Sequence, residues 1–233
     1  MLLSDKSILT KEDALRYFWH IRAEQKTRAK GDGNRAAVVG GRQMDAFLAL
    51  LKNTALEVGV PEACIHLRKT TIPGYYRATK QWDLVIVTPN HRLVAAVELK
   101  SQVGSLGNNF NNRVEESIGS ATDLWTAYRE STFPPQPAPW LGFFLVVGVS
   151  ESLERTVETT SEHFPVRKEF EGTSYRQRYE LFMRKMLQER LYSSAALLFA
   201  SPNGEVDSPA YLTFADFQLS FTHQLALFQK DFQ

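Results

Sequence analysis

The feature that most constrains the fold is QWDLVIVTPNHRLVAAVELKSQ, residues 81–102, in which two apolar runs are separated by a short polar segment. Runs of this kind are typical of two buried strands joined as an antiparallel hairpin. A two-residue Asn-His turn would place Asp83 directly opposite Glu98, and the alternation of side chains along a strand puts Lys100 on the same face. The sequence therefore predicts three charged side chains gathered where the hairpin leaves the core.

The same alternation divides the apolar residues of the hairpin between its two faces. The face with the three charges also carries Val85, Val87, Val94 and Ala96, and the opposite face carries Trp82, Leu84, Ile86, Ala95 and Val97. Apolar side chains on both faces indicate that helices cover the strands on both sides.

The opposed carboxylates predict a particular chemistry. Two carboxylates a few ångströms apart raise each other's pKa unless a cation shares the site. Mg²⁺ suits such a pair, because it needs only one or two protein carboxylates and takes its other ligands from water and phosphate oxygens. Lys100 would then orient or help deprotonate a water that attacks a phosphodiester. The residues alone leave a second interpretation open, a structural ion network at the end of a strand.

The rest of the chain alternates between helical and extended patterns. Apolar spacing predicts helices over about residues 11–29, 42–58, 113–130, 174–191 and 213–229, and apolar runs predict strands near 65–72, 141–149 and 195–201. The predicted fold class is α/β, with a central mixed β-sheet flanked by helices. No repeat or linker divides the chain, so residues 1–233 are predicted to form one domain with an N-terminal helical part over about 1–40.

Charge, cysteine content and the apolar runs bear on where the protein is found more than on which molecule it binds. Lys and Arg number 27 against 26 Asp and Glu, so the net charge of +1 neither supports nor excludes a nucleic acid. The single cysteine, Cys64, cannot form an internal disulfide. The first residues carry charges where a signal peptide is apolar, and the longest apolar run, LGFFLVVGV, is too short to span a bilayer. A soluble cytoplasmic protein without a membrane partner is expected.

The charged residues of the hairpin and several longer segments resemble those of a known family. Asp83 followed by Glu98-Leu99-Lys100 resembles the PD-(D/E)xK nuclease motif, although Trp82 stands where a proline often precedes the Asp. GGRQMDAF, TKQWDLVIV and above all VELKSQVGSLGNNFNNRVEESIGSATDLWTAYRE are similar to the XhoI-type family of Type II restriction endonucleases. The similarity extends over most of the chain, including SYRQRYELFMRKMLQERLYSSA.

The resemblance implies a restriction-endonuclease-like core with extra N- and C-terminal helices. It further implies cleavage of both DNA strands at a short palindrome, CTCGAG in known relatives, with Mg²⁺ as cofactor, Mn²⁺ as a substitute, and 5′-phosphate products. Double-stranded DNA would be the substrate, a homodimer would read the two-fold site, and a cognate DNA methyltransferase would protect the host.

Site residues follow from the same resemblance. Carried over by position, Asp83 and Glu98 would bind the metal, and Lys100 would act on the attacking water. Asp45, near the start of the second predicted helix, is a candidate additional metal ligand. Its alternative role is a favourable charge at a helix N-terminus.

The segment GNNFNNR supplies the first candidates for DNA contact. Asn108, Asn109, Asn111 and Arg113 carry amide and guanidinium groups that suit base edges in the major groove. The segment is predicted to be a loop, followed by a helix that Asn112 caps. Ordinary turn and capping roles are therefore the alternative.

The segment GYYRATK lies just before Asp83 and combines aromatic with basic residues. Arg77 and Lys80 are predicted to touch the DNA backbone near the scissile phosphate. Tyr75 and Tyr76 are expected to pack against the protein rather than stack on bases.

A basic segment near the N-terminus is the last candidate. Residues 22–42 contain six basic and two acidic residues, and Arg35 and Arg42 are predicted to bind phosphates there. A solvated helix end and loop would have the same composition.

Two other functions stay open beside the restriction enzyme. One is a PD-(D/E)xK nuclease of repair or junction type that recognises DNA structure rather than sequence. The other is a catalytically silent DNA-binding module, in which the three charges serve only the structure.

Overall fold

A computed structural model describes residues 10–29 and 42–233. Its α-helices are α1 (Lys11–Ala29), α2 (Asp45–Glu57), α3 (Leu106–Arg129), α4 (Glu151–Glu154), α5 (Tyr175–Gln188) and α6 (Phe214–Leu227). Its strands are β1 (Ile65–His66), β2 (Thr71–Pro73), β3 (Thr79–Gln81), β4 (Leu84–Val87), β5 (Leu93–Gln102), β6 (Trp140–Gly148), β7 (Ser194–Ala200) and β8 (Val206–Asp207). Within these ranges no helix is long and apolar enough to cross a membrane.

Six strands form one mixed sheet in the order β1-β4-β5-β6-β7-β8. β5, β6 and β7 run parallel, and the other neighbours are antiparallel. β2 and β3 form a separate two-stranded antiparallel sheet. The predicted mixed sheet flanked by helices is confirmed, whereas the extended piece predicted near 65–72 is divided between the two sheets. The assignment of the whole chain to one domain stays a prediction.

Helices cover the main sheet on both faces. Residues of α1, α2 and α6 pack on one face, and residues of α3 and α5 pack on the other. β6 shows why both layers are needed, since Phe144 and Val146 lie in the first core while Phe143 and Leu145 lie in the second. All nine residues of this strand are buried, as its unbroken apolar run predicts.

The predicted hairpin register is confirmed over most of its length. Leu84 pairs with Val97, and the next two pairs follow in the same register. The register then shifts between Ile86 and Val87, so that Val87 pairs with Leu93. This irregularity turns Val94 to the face opposite the predicted one, into the core of α1, α2 and α6.

Trp82 also lies on the face opposite the predicted one. Its backbone N–H donates to Thr70 rather than to β5, because the chain before β4 follows β2 and β3. The indole therefore packs in the core beneath α3 and α5 instead of beside Leu84 and Ile86. Strand alternation does not apply to Trp82, which lies outside the β4–β5 ladder.

α3 begins at Leu106, seven residues before the predicted start at 113. Leu106 and Phe110 are buried four residues apart, and the Phe110 ring contacts aromatic rings of α5. Their burial stabilises helix in an Asn-rich segment of weak intrinsic propensity. Asn112 is consequently an exposed residue in the interior of the helix rather than a cap. The predicted loop is the first two turns of this helix.

Candidate active site

Two hydrogen bonds hold the first predicted site residue, Asp83, against β5. Asp83 lies immediately before β4, and its N–H donates to the carbonyl of Val97 over 3.0 Å. Its carboxylate oxygen Oδ2 accepts the N–H of Leu99 at 2.7 Å. Asp83 is therefore held on β5 between Glu98 and Lys100, and its side chain is partly buried.

The second carboxylate is surrounded by cations. Glu98 is 5% exposed, and one of its carboxylate oxygens, Oε1, forms an ion pair with Lys100. The other oxygen, Oε2, lies 2.6 Å from the ammonium of Lys80. That ammonium also donates to the carbonyl of Gln81 at 3.0 Å and lies 4.4 Å from the centroid of the Trp82 ring. Glu98 thus lies between two lysine ammonium groups in a nearly dry site.

Asp83 has a different electrostatic environment. Burial raises the pKa of the Asp83 carboxyl, and the neighbouring Glu98 charge raises it further. The Leu99 N–H, Lys100 and Lys80 oppose this shift without cancelling it. The protein's own donors and cations therefore do not fully offset the cost of burying the Asp83 charge. A cation added beside the carboxylate would stabilise the charged form.

A cleft of about 480 Å³ opens at this end of the sheet. Asp83 and Lys100 line it together with Asp45, the first residue of α2. Burial raises the pKa of the Asp45 carboxyl, and Arg42 partly opposes the shift. The predicted additional acidic residue is thus in the same cleft as the hairpin residues.

The donor set fits magnesium better than a metal that needs a closed protein site. Among residues 10–29 and 42–233, no group of three or more His, Cys, Asp or Glu side chains could hold a metal ion. Asp45 therefore lines the cleft without joining the other two carboxylates in one ligand group. A pair of carboxylates is sufficient for Mg²⁺, whose remaining positions take water and phosphate oxygens. Asp83 and Glu98 meet that requirement.

Helix α3 brings two of the predicted DNA-contacting residues into the cleft. Asn109 and Arg113 line it four residues apart, on one side of the helix. Arg113 forms an ion pair with Glu116 at 2.7 Å, yet its buried Nε has no hydrogen-bond partner among the described residues. A buried guanidinium N–H without a partner is unfavourable until a ligand supplies an acceptor.

The other predicted contacts are distributed around this centre. Asn111 is exposed on α3 outside the cleft lining, and Asn108 lies on the same helix, with a side chain outside the described part. Arg42 is exposed at the start of the 3₁₀ turn that leads into α2. Arg35 falls outside the described residues. Arg77 does not point into the cleft but pairs with Asp123, through its Nε and Asp123 Oδ2 at 2.9 Å.

Several cleft residues were not identified from the sequence as individual candidates. They are Arg22, Gln43, Ser101 and Gln102. The amide nitrogen of buried Gln43 donates to the hydroxyl of Ser101 at 3.0 Å, and its amide oxygen accepts from Gln25 at 3.0 Å. The sequence contains only weak signals that these residues line the site. Arg22 is the first residue of the basic segment 22–42, and Ser101 directly follows Lys100 on β5.

Comparison with known proteins identifies relatives of this chain. The family model described as restriction endonuclease XhoI matches residues 24–212. The Type II restriction enzyme BstVI of Geobacillus stearothermophilus is 47% identical over 186 residues, which are 77% of this chain and 83% of that protein. The Type II restriction enzyme XhoI of Xanthomonas vasicola is 48% identical over 178 residues, 73% of this chain and 71% of that protein.

A third relative, the Type II restriction enzyme AbrI of Azospirillum brasilense, is 46% identical over 147 residues, 61% of this chain and 65% of that protein. No solved structure matches the chain. The matched segment includes the whole hairpin, the cleft residues of α2 and those of α3. The chain therefore belongs to the XhoI family of Type II restriction endonucleases.

Proposed function

We propose that this enzyme hydrolyses both strands of duplex DNA at a short palindrome, CTCGAG as in known relatives, with Mg²⁺ as cofactor and Mn²⁺ as a working substitute. The observation that carries the proposal is the meeting of Asp83, Glu98 and Lys100 at one end of the sheet. The adjoining cleft holds a buried donor, Arg113 Nε, that has no hydrogen-bond partner among the described residues. Family membership supplies the reaction class, and the site chemistry supplies the metal requirement.

In this proposal Asp83 and Glu98 are the metal ligands. Mg²⁺ bound there would stabilise the charge that develops on the pentacovalent phosphorus and on the leaving oxygen. Lys100 holds the attacking water in line with the scissile bond and favours its deprotonation. The water oxygen bonds to phosphorus as the bond to the 3′ oxygen breaks, which leaves a 5′-phosphate and a 3′-hydroxyl.

Lys80 has a supporting role in the metal-free enzyme. Its ammonium lies 2.6 Å from Glu98 Oε2 and so supplies a hydrogen bond and an opposite charge to a nearly buried carboxylate. A metal held by Glu98 would offset part of the carboxylate charge, and Lys80 could then donate to a DNA phosphate, as the predicted backbone contact requires.

Helix α3 is the proposed recognition element. Asn109 and Arg113 face the cleft, so they are placed for base edges or for phosphates beside the cut. Asn108 and Asn111 on the same turns, and the basic residues Arg35, Arg42 and Arg77, are proposed as further DNA contacts. Asp45 is proposed as an outer metal ligand acting through water.

A palindromic site is most simply read by a two-fold protein, so the functional form is proposed to be a homodimer. Activity against any CTCGAG sequence in the host genome makes a cognate methyltransferase a functional partner. The enzyme is proposed to act in the cytoplasm, where the host DNA lies.

The proposal is tested by digestion of sequenced plasmid DNA with mapping of the fragment ends. Wild-type protein with Mg²⁺ should give discrete fragments that end within CTCGAG. Glu98→Gln should abolish cutting while it keeps site-specific binding in Ca²⁺, and Glu115→Gln, an exposed change on α3, should cut normally.

Absence of wild-type cutting of mixed-sequence DNA with either Mg²⁺ or Mn²⁺ would refute a nuclease function. Cutting confined to branched or frayed substrates would instead favour the repair or junction type. Undiminished cutting by Glu98→Gln would remove Glu98 from the site.

A further inference from the structure

The turn between β2 and β3 exposes two aromatic side chains. Tyr75 is 52% exposed and Tyr76 is 70% exposed, contrary to the expectation that they pack against the protein. Their rings contact each other edge to face, with centroids 5.0 Å apart. We call residues 74–77 the tyrosine loop. Two adjacent exposed aromatic rings form an apolar feature typical of an interaction surface.

The tyrosine loop is anchored by a buried carboxylate of α3. Asp123 has a side chain only 3% exposed, and its Oδ1 accepts the backbone N–H of Tyr75 at 2.8 Å and that of Tyr76 at 2.7 Å. Arg77 adds its own backbone N–H at 3.3 Å, and its Nε donates to Oδ2 at 2.9 Å. Consecutive backbone N–H groups that converge on one anion hold a turn in a single conformation.

Close packing at Gly74 also restrains the loop. A Cβ added at Gly74 would clash with the carboxylate of Asp123 and would lie 2.7 Å from the carbonyl of Arg77. Only glycine permits this approach of the loop to α3. The two tyrosines are therefore presented by a pre-ordered turn, so binding through them costs little conformational entropy.

The tyrosine loop is connected to active-site residues through β3 and through α3. β3 follows it directly, and Lys80 on that strand reaches Glu98 at 2.6 Å. Tyr76 lies four positions before Lys80 in the chain, so their Cα atoms are at most about 14 Å apart. That limit corresponds to about four base-pair steps of duplex DNA. On its other side the loop is fixed to α3, which also carries the cleft residues Asn109 and Arg113.

We propose that Tyr75 and Tyr76 contact the DNA duplex beside the scissile phosphate, with their ring faces against deoxyribose and base edges in a groove. The inference rests on the proposed function, since a duplex that presents a phosphate to Glu98 and Lys100 must extend past the neighbouring loop. The combination of aromatic and basic side chains supports a nucleic acid partner. Arg77, whose side chain is 47% exposed although it is bound to Asp123, keeps donors available for a phosphate.

The first test is chemical protection of tyrosines by DNA. Full-length protein is nitrated with tetranitromethane in Ca²⁺, with and without a duplex that contains CTCGAG, and the modified tyrosines are located by mass spectrometry. DNA should reduce nitration of Tyr75 and Tyr76 several-fold and leave Tyr211 unchanged. Tyr211 is 50% exposed and lies in the turn before α6, so it is a matched internal control.

The second test separates ring contacts from charge contacts. Tyr75→Ala with Tyr76→Ala should weaken binding to the same duplex about tenfold, because the change removes the apolar ring surface proposed to lie against the DNA. The salt dependence of binding should be unchanged, since a tyrosine releases no counterion. Tyr75→Phe with Tyr76→Phe should bind like wild type, and Tyr211→Ala should as well. Equal thermal unfolding of all variants shows that folding is intact.

Two results would overturn the inference while the proposed function stands. One is wild-type affinity of the double alanine variant. The other is equal nitration with and without DNA, accompanied by a change in the sedimentation of DNA-free protein when the rings are removed, which would assign the loop to self-association. Failure of the wild-type protein to bind the duplex would instead overturn the proposed function, and this inference with it.

Discussion

Two carboxylates near α3 and the hairpin are both largely removed from water, yet their surroundings differ. Asp123 accepts three backbone N–H groups and one guanidinium N–H, and these bonds bring its pKa below the ordinary value although burial raises it. Asp83 accepts one backbone N–H, faces Glu98, and has a raised pKa because of burial and that charge. A carboxylate with a structural role has its oxygens fully hydrogen-bonded to the protein itself. A buried carboxylate with few such donors is suited to bind a cation from outside.

The largest effect should come from removing the charge at Asp83. Asp83→Asn keeps the shape and removes a metal ligand, so cleavage should fall about 10³-fold or more, since metal stabilisation of the transition state contributes several kcal/mol. Folding stability at pH 7 should stay the same or rise, because the variant lacks a carboxylate that burial disfavours. Single-turnover cleavage and urea unfolding measure the two quantities. A variant that is stable and also fully active would contradict the role of Asp83 as a metal ligand.

The opposite pattern is expected for Asp123. Asp123→Ala leaves three backbone N–H groups and the Arg77 guanidinium without their acceptor, and should lower the free energy of unfolding by about 3 kcal/mol. Urea denaturation measures this loss. Addition of Mg²⁺ should not restore it, because no metal is expected at this site. A loss below about 1 kcal/mol would mean that the tyrosine loop is not held by this carboxylate.

Lys80 connects the two regions, and its replacement should have an intermediate effect. Lys80→Met keeps an apolar stem against Trp82 and removes one of the two cations on Glu98. The metal-free protein should lose about 1–2 kcal/mol of stability. Mg²⁺ should then raise the unfolding temperature more than in wild type, since the metal replaces the missing charge. An identical metal response in both proteins would contradict the supporting role of Lys80.

The smallest effect is a difference in pH dependence. The folded pKa of Asp123 is lowered, so its contribution to stability is present above the ordinary value of 3.8 and is lost as the pH falls through the folded value. The folded pKa of Asp83 is raised, so its contribution is greatest below 3.8 and is lost as the pH rises through the folded value.

Comparison of asparagine variants with wild type should reveal these opposite signs. The destabilisation by Asp123→Asn should be smaller at pH 3 than at pH 7, whereas any advantage of Asp83→Asn should grow as the pH rises above 4. Metal-free urea denaturation at several pH values measures both. If the free energy of unfolding of the two variants, relative to wild type, changed with pH in the same direction, the two carboxylates would not have pKa shifts of opposite sign.

The sequence predicted the hairpin well because strand alternation and a short turn together determine register. It failed where tertiary packing overrode local preference. α3 starts at Leu106 because Leu106 and Phe110 fill a core space beneath α5, which an Asn-rich segment does not reveal. Trp82 changed face because the chain before β4 pairs with β2, a strand too short to be distinguished by composition.

The sequence by itself determined the fold class, the register that brings Asp83 to Glu98, and the family, since these depend on local periodicity and on a long, specific string of residues. Only the tertiary structure decided that Asp45, Asn109 and Arg113 share a cleft with Asp83 and Lys100, that Lys80 holds Glu98, and that Asp123 orders two exposed tyrosines. The physical reason is that burial and hydrogen-bond saturation depend on groups far apart in the chain. Those two properties distinguish the carboxylate that holds a loop from the one proposed to hold a metal.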